Sequence, residues 1–353
     1  MKITAALEND SGMFLMEELD LEDPREDEVL VKVIACGVCH TDVVMRGGNY
    51  LLGHETSGIV VKSGKKVRGF KPDDWVIVTY THCGKCNACK DDRTYECNYI
   101  HHFFNGKRPD GTTPFSLNGK QVFPLMRQGG FSTFTVCHEN ALTKIVTNLD
   151  LKSLAPVGCG VMTGAGSVMN YLKPKKKKPL AVFGTGAVGL SAVLAAKVCG
   201  CDPIIAVDKN SARLNMASEF GATHCINTNK VENIETTIRE ICNGIDYGFD
   251  TSGNRMLLEN LRLVLNKGGK ACGVGIGGSI NFSRKEYNEG KTWGSPDTGW
   301  SVPQKFIPRL LTLQKKGKFP FEKMIHFYPF DQINQAFKDA EEGRTIKPVL
   351  VME

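Results

Sequence analysis

Between residues 180 and 275, short apolar runs alternate with longer amphipathic ones, and a glycine triplet marks the first junction. The runs LAVFG (180–184), PIIAVD (203–208), THCIN (223–227), YGFDTSG (247–253) and GKACGVG (269–275) have the length of buried strands. Between them, AVGLSAVLAAKVC, SARLNMASEF and MLLENLRLVL return apolar residues every three or four positions, the period of a helix. Strand and helix in strict alternation dictate βαβ units, and so an α/β domain with a doubly wound parallel sheet.

The first junction reads VFGTGAVGLSA. Gly184, Gly186 and Gly189 stand as G-x-G-x-x-G between a strand and a helix, and Asp208 ends the next strand nineteen positions after Gly189. The first glycine makes the tight turn, the second admits a pyrophosphate to the backbone, and the third lets helix and strand pack closely. Unpaired N–H groups at the helix start receive the phosphates. A carboxylate at Asp208 accepts ribose hydroxyls and repels a 2′-phosphate, so the expected cofactor is NAD and not NADP. Lys209 and Arg213 carry positive charge near the same ribose and soften that preference.

A chain of 353 residues exceeds one core of ordinary size, so a second domain is required. Its first 150 residues supply candidate strands in VLVKVIAC (29–36), SGIVVKSG (57–64), WVIVTY (75–80) and FTVCHENALTKI (134–145), a mostly β unit. After residue 297 one or two helices and a final strand return to that unit. The expected domains are therefore 1–160 with 298–353, and 161–297. The chain opens on no charged-then-apolar leader and contains no apolar run of about 18 residues, so the expectation is a cytoplasmic protein with no membrane partner. Thirteen cysteines are then free thiols and not a disulfide framework. The net charge of +6 is modest, and the run Lys173–Lys178 has no interleaved aromatics. It reads as a solvated linker, and no nucleic-acid partner is expected.

The cysteines are not evenly spread. Cys83, Cys86, Cys89 and Cys97 fall in THCGKCNACKDDRTYEC as C-x2-C-x2-C-x7-C. Four thiolates in one polar loop suit tetrahedral Zn²⁺ in a closed, structural site. Chemistry needs an open shell, for which Cys39, His54 and Cys159 are candidates: two thiolates and one imidazole leave a fourth position. Spacing alone does not link these three.

Along nearly its whole length the chain resembles the zinc-containing medium-chain alcohol dehydrogenases. The matching stretches are CGVCHTD, GHE, CGKCNACKDDRTYEC, GCGVMTG, GTGAVG with Asp208, and TIKPVLVM. The tail KFIPRLLTLQKKGKFPFEKMIHFYPFDQINQAFKDAEEG is similar to bacterial aryl-alcohol (benzyl alcohol) dehydrogenases. The resemblance implies a GroES-like catalytic domain beside a Rossmann domain, and two zinc ions per chain. It implies hydride transfer between NAD and a primary alcohol or aldehyde, aromatic by the finer match, in a homo-oligomer (dimer or tetramer). It implies Cys39, His54 and Cys159 as ligands of the catalytic zinc, Asp42 holding His54, Glu55 behind the metal, and Thr41 on the substrate hydroxyl. His40 and Lys347 take the places of pyrophosphate-binding residues and Thr163 that beside the nicotinamide, with Val274 a further cofactor-binding residue. Thr79, Tyr80, Leu125 and Met126 take the places of pocket walls. A glutathione-linked formaldehyde dehydrogenase and a general aliphatic alcohol dehydrogenase are the near alternatives, and a zinc-stabilised nucleic-acid-binding module the remote one. Two features depart from the family: the interval from Cys39 to His54 is short, and Val44 stands where a proton-relaying His is common.

Overall fold

The structure is a computed structural model in which residues 1–48 and 50–352 are described. The short interval between Cys39 and His54 includes Asn49, which lies outside the described residues. The chain divides into two compact units, one of Met1–Cys159, Val302–Leu311 and Met324–Glu353, the other of Gly160–Ser301 and Thr312–Lys323. The expected division kept 312–323 with the first unit; its contacts place it with the second.

The first unit is built on two sheets. The smaller runs in the order Lys2–Glu8, Phe14–Leu21, Phe115–Leu117, Lys120–Pro124 and Tyr50–Leu51. None of these strands is among those expected from sequence. Phe14–Leu21 shows why: FLMEELDL points Leu15 and Met16 outward and interleaves them with carboxylates, so apolar alternation is broken. The larger sheet is organised by Glu28–Gly37. Glu55–Ser63 pairs along one edge. The other edge is shared by Phe134–His138, against residues 28–32, and Lys347–Val351, against residues 35–37. The run 134–145, expected as one strand, is two, broken by a turn at Glu139–Ala141. Val29, Val31, Val60, Val76 and Val78 form one apolar cluster of this sheet; Val33, Cys36, Leu52, Phe131, Phe337 and Leu350 belong to another.

Two register shifts between Glu28–Gly37 and Glu55–Ser63 bend the pair before it ends with Gly37 opposite Glu55. Cys39 lies two residues beyond Gly37 and His54 one residue before Glu55, so this register delivers the two to the same end of the sheet.

The second unit holds a six-stranded parallel sheet. Its order is His224–Asn227, Ile204–Asp208, Leu180–Phe183, Ile245–Asp250, Leu265–Gly273 and Thr292–Gly294, or 3-2-1-4-5-6 in sequence order. This is the doubly wound arrangement, with its switch point beside Leu180–Phe183. The helices start where side chains cap them: Asn210, Asn233 and Asn254 each accept a bond from first-turn N–H groups. They stop at Gly200, Gly221 and Asn243 in the left-handed conformation. The helix Ala187–Cys199 is buried from Gly189 to Ala196, so it presents no single apolar stripe. Lys175, Lys176 and Lys177 are exposed, as a solvated linker requires.

Candidate active site

In the first unit, Cys39, His54 and Cys159 come together with their candidate donor atoms all within 4.8 Å of one another. The sheet register brings the first two. Cys159 arrives on the helical stretch Leu151–Gly158, tied down by the Ser57 hydroxyl, which donates to the Leu151 carbonyl at 2.7 Å. Gly158 lies so close to the strand Trp75–Val78 that a Cβ there would stand 2.3 Å from the Val78 carbonyl oxygen.

The imidazole of His54 is fixed at one end and open at the other. Its Nδ1 lies 3.0 Å from Asp42 Oδ1, while its Nε2 is buried with no hydrogen-bond partner. Asp42 is itself held by the Cys39 N–H at 3.0 Å and the Gly53 N–H at 3.1 Å. A carboxylate that sets the tautomer and turns the other nitrogen toward two sulfurs is the support a metal-binding histidine requires. Burial alone lowers the His54 pKa, yet Asp42 and Cys39 overcome it and hold the group well above its usual range. A hydrogen bond from Cys159 holds Cys39 well below the ordinary thiol range, and the same bond pushes Cys159 up. The cluster thus stabilises positive charge, and its soft donors fit Zn²⁺ with one position left open.

Behind the three lies Glu55, fully buried, its pKa raised to about 7 by burial. Its Oε2 accepts from Lys347 Nζ at 2.8 Å, and that ammonium also donates to the Val38 carbonyl at 2.9 Å. The resemblance gave Lys347 to a coenzyme phosphate. The structure turns it inward, because a buried carboxylate needs a charged partner. The same carboxylate explains Gly37, where a Cβ would stand 2.3 Å from Glu55 Oε2. Thr41 and exposed His40 occupy the first turn of the short helix His40–Val44.

Cys83, Cys86, Cys89 and Cys97 form a second cluster, again with all sulfurs within 4.8 Å. Backbone N–H groups already point at sulfur: Cys83 N at Cys97 Sγ (3.3 Å), Cys86 N at Cys83 Sγ (3.3 Å) and Lys85 N at Cys83 Sγ (3.5 Å). The Cys89 backbone pulls the Cys86 thiol down to about 6, while burial pushes Cys89 and Cys97 up. N–H donors at sulfur favour thiolate over thiol, and four thiolates on one Zn²⁺ would close a tetrahedral shell.

The expected pocket residues divide. The Thr79 hydroxyl is committed to the Ala141 carbonyl at 3.0 Å and the Tyr80 hydroxyl to Thr94 at 2.7 Å. Leu125 packs in the core cluster with Leu52 and Phe131, and Met126 is partly buried against that cluster.

In the second unit, Gly184 has φ +89°, and a Cβ on Gly189 would lie 1.9 Å from the Gly184 carbonyl oxygen, so both positions demand glycine. A Cβ on Gly186 would meet open space, and the helix it starts has no side-chain cap. Free N–H groups beside open space are what a pyrophosphate needs. Asp208 Oδ2 accepts from the Thr185 N–H at 2.6 Å and its hydroxyl at 2.9 Å, and Oδ1 from the Asn210 N–H at 2.9 Å. Oδ1 therefore has the acceptor capacity to spare for a ribose hydroxyl. Arg213 stands one turn along the following helix, its buried Nε without a hydrogen-bond partner. Thr163 lies in the helix Gly160–Gly166, which packs so tightly on Ala187–Cys199 that a Cβ on Gly164 would stand 2.0 Å from the Val188 carbonyl oxygen. The Val274 N–H donates to the Asp250 carbonyl at 3.0 Å. Asp208→Ser is expected to lower kcat/KM for NAD about 10- to 100-fold, the worth of one or two bonds to a charged group, and to improve NADP. A parent enzyme that uses both coenzymes equally would contradict it.

Residues 25–147 match the family described as "Alcohol dehydrogenase GroES-like domain" and residues 187–292 the family "Zinc-binding dehydrogenase". The crystal structure of benzyl alcohol dehydrogenase from Acinetobacter calcoaceticus is 36% identical. It superposes with a TM-score of 0.94, covering 100% of both chains. Geraniol dehydrogenase of Castellaniella defragrans is 35% identical over 98% of this chain and 96% of its own. S-(hydroxymethyl)glutathione dehydrogenase of Escherichia coli (strain SMS-3-5) is 35% identical over 94% of this chain and 95% of its own. No helix among the described residues is long and apolar enough to cross a membrane.

Proposed function

From the premise that this chain belongs to the zinc-containing medium-chain alcohol dehydrogenases, we propose that it interconverts primary aromatic alcohols and aldehydes with NAD. The observation that carries the reading is the open nitrogen of His54, buried among two sulfurs and aligned by Asp42. Cys39, His54 and Cys159 hold the catalytic zinc, and Cys83, Cys86, Cys89 and Cys97 the structural one. Zinc supplies Lewis acidity at an alcohol or carbonyl oxygen, and NAD supplies the hydride acceptor.

The chain's own side chains do the rest. Asp42 keeps the His54 proton on Nδ1, and Glu55 with Lys347 holds a compensated charge behind the ligands. Thr41 holds the substrate hydroxyl and takes its proton. Val44, exposed one turn further on, can neither accept nor donate it, so water completes the route to solvent. Gly184, Gly186 and Gly189 bind the pyrophosphate; Asp208 and Arg213 hold the adenosine ribose, and Thr163 and Val274 the nicotinamide. Thr79, Tyr80, Leu125 and Met126 line the alcohol site.

Full-length similarity to a benzyl alcohol dehydrogenase supports the aromatic preference. A substrate panel with NAD tests it. Roughly 100 Å² of extra ring burial at about 25 cal/mol per Å² predicts a kcat/KM for benzyl alcohol some 10²-fold above ethanol. Thr41→Val is expected to depress every alcohol in the panel without changing their ranking. Equal specificity for ethanol, or turnover of formaldehyde only with glutathione, would sink the aromatic reading. The proposal extends to a cytoplasmic homo-oligomer, which light scattering and fractionation check.

A further inference from the structure

Gln128 is a buried amide, 2% exposed, with one end satisfied and the other not. Its Nε2 donates to the Thr79 carbonyl at 3.0 Å, across 49 positions of sequence, while Oε1 has no hydrogen-bond partner. The orientation is forced, since a carbonyl accepts only from the NH₂ end. A Met or Leu of similar size would fill the same space and leave no buried oxygen unpaired, so packing does not account for an amide here. The bond to Thr79 does.

The two things this bond joins are both unusual. On one side Gln128 closes a turn, its N–H donating to the Leu125 carbonyl at 3.1 Å. The middle residues, Met126 and Arg127, have φ +55° and +60°, two consecutive non-glycine residues in the left-handed region. Such a conformation persists only where its surroundings impose it. Here the Met126 N–H donates to the Phe104 carbonyl at 3.1 Å, the Arg127 guanidinium lies 3.6 Å from buried Glu28, and the Thr135 hydroxyl donates to the Gln128 carbonyl. On the other side Thr79 is locked by its N–H and its hydroxyl, both donating to the Ala141 carbonyl at 2.7 and 3.0 Å.

We propose that Gln128 is a positioning residue for the alcohol pocket: by tying the strained turn 125–128 to Thr79 it sets the separation of the two walls, and so which alcohols fit. The inference rests on the reading that Thr79, Leu125 and Met126 line that pocket. The hydrogen bonds of Gln128 run to Thr79, Leu125 and Thr135, none of them a zinc ligand or part of the nucleotide turn, so its effect is expected to fall on the alcohol.

The test compares benzyl alcohol and ethanol in the zinc-loaded enzyme with NAD, for Gln128→Met and Gln128→Leu. Both remove the donor while leaving an apolar side chain of similar size, and the second still reports should the first fail to fold. The expected result is an about fivefold or larger change in the benzyl-to-ethanol ratio of kcat/KM, the worth of one neutral hydrogen bond. The change should be carried by KM for the alcohols, with KM for NAD and zinc content unchanged. A merely structural role would lower both alcohols alike. A ratio within twofold of the parent in a folded variant overturns the proposal. The parent's own ratio decides the aromatic reading, and the variant's departure from it decides the role of Gln128, whichever alcohol the parent prefers.

Discussion

Cys159→Ser is expected to lower alcohol turnover by about 10³-fold or more while the fold survives. Cys159 is half-buried at the end of a helical stretch, and Gly158, Ser57 and Leu151 hold its backbone, so the sulfur is not needed to keep the chain in place. Its removal leaves Cys39 and His54 as the remaining donors. A Lewis acid is worth several kcal/mol to the reacting oxygen, and about 4 kcal/mol corresponds to 10³ in rate. Metal analysis should fall from about two zinc ions per chain to about one, with the melting temperature little changed. Near-normal turnover in this variant would remove the catalytic assignment.

Cys86→Ser should do the reverse. The loop Cys83–Cys97 has little apolar burial of its own: Ala88, Thr94 and Cys97 are its buried residues. Its side-chain ties to the rest of the unit include the buried Tyr80 hydroxyl with the Thr94 hydroxyl at 2.7 Å and the exposed pair Lys305–Asp92 at 2.7 Å. Exposed pairs of that kind contribute under about 1 kcal/mol. Order in the loop therefore depends on the shared ion, whose binding free energy is folding free energy. Loss of about 3 kcal/mol would lower the melting temperature by roughly 10 °C in a unit of this size. One zinc should be lost, and turnover at low temperature should persist. Unchanged metal content and melting temperature would show that the four sulfurs hold nothing.

These sites differed in how far they could be read from sequence. The four cysteines and the glycine triplet are local: their partners lie within fifteen positions, and spacing alone announces them. The alternation that gives the parallel sheet is local too. Cys39, His54 and Cys159 are joined instead by a strand register, Gly37 opposite Glu55, and by the contact of Gly158 with Val78. No spacing rule encodes either, so the resemblance had to supply the set. Lys347 and Glu55 are 292 positions apart, and only the folded sheet shows that one neutralises the other. Gln128 carries no signal in sequence at all, because its meaning is the distance between two segments.

The pairing of Lys347–Val351 with Glu28–Gly37 has a consequence for how the protein is made. The second unit's sheet and flanking helices come from one continuous stretch, Gly160–Ser301, and can fold as that stretch leaves the ribosome. The first unit is begun earlier and completed later. Until residue 347 emerges, Glu55 lacks the Lys347 ammonium and the edge at residues 35–37 lacks Lys347–Val351 as its strand. The nascent N-terminal segment must therefore wait through the synthesis of the whole second unit with an open β edge, a state prone to aggregation. The cysteine loop at 83–97, by contrast, draws all four of its sulfurs from fifteen consecutive positions and needs nothing from beyond that stretch to assemble its cluster.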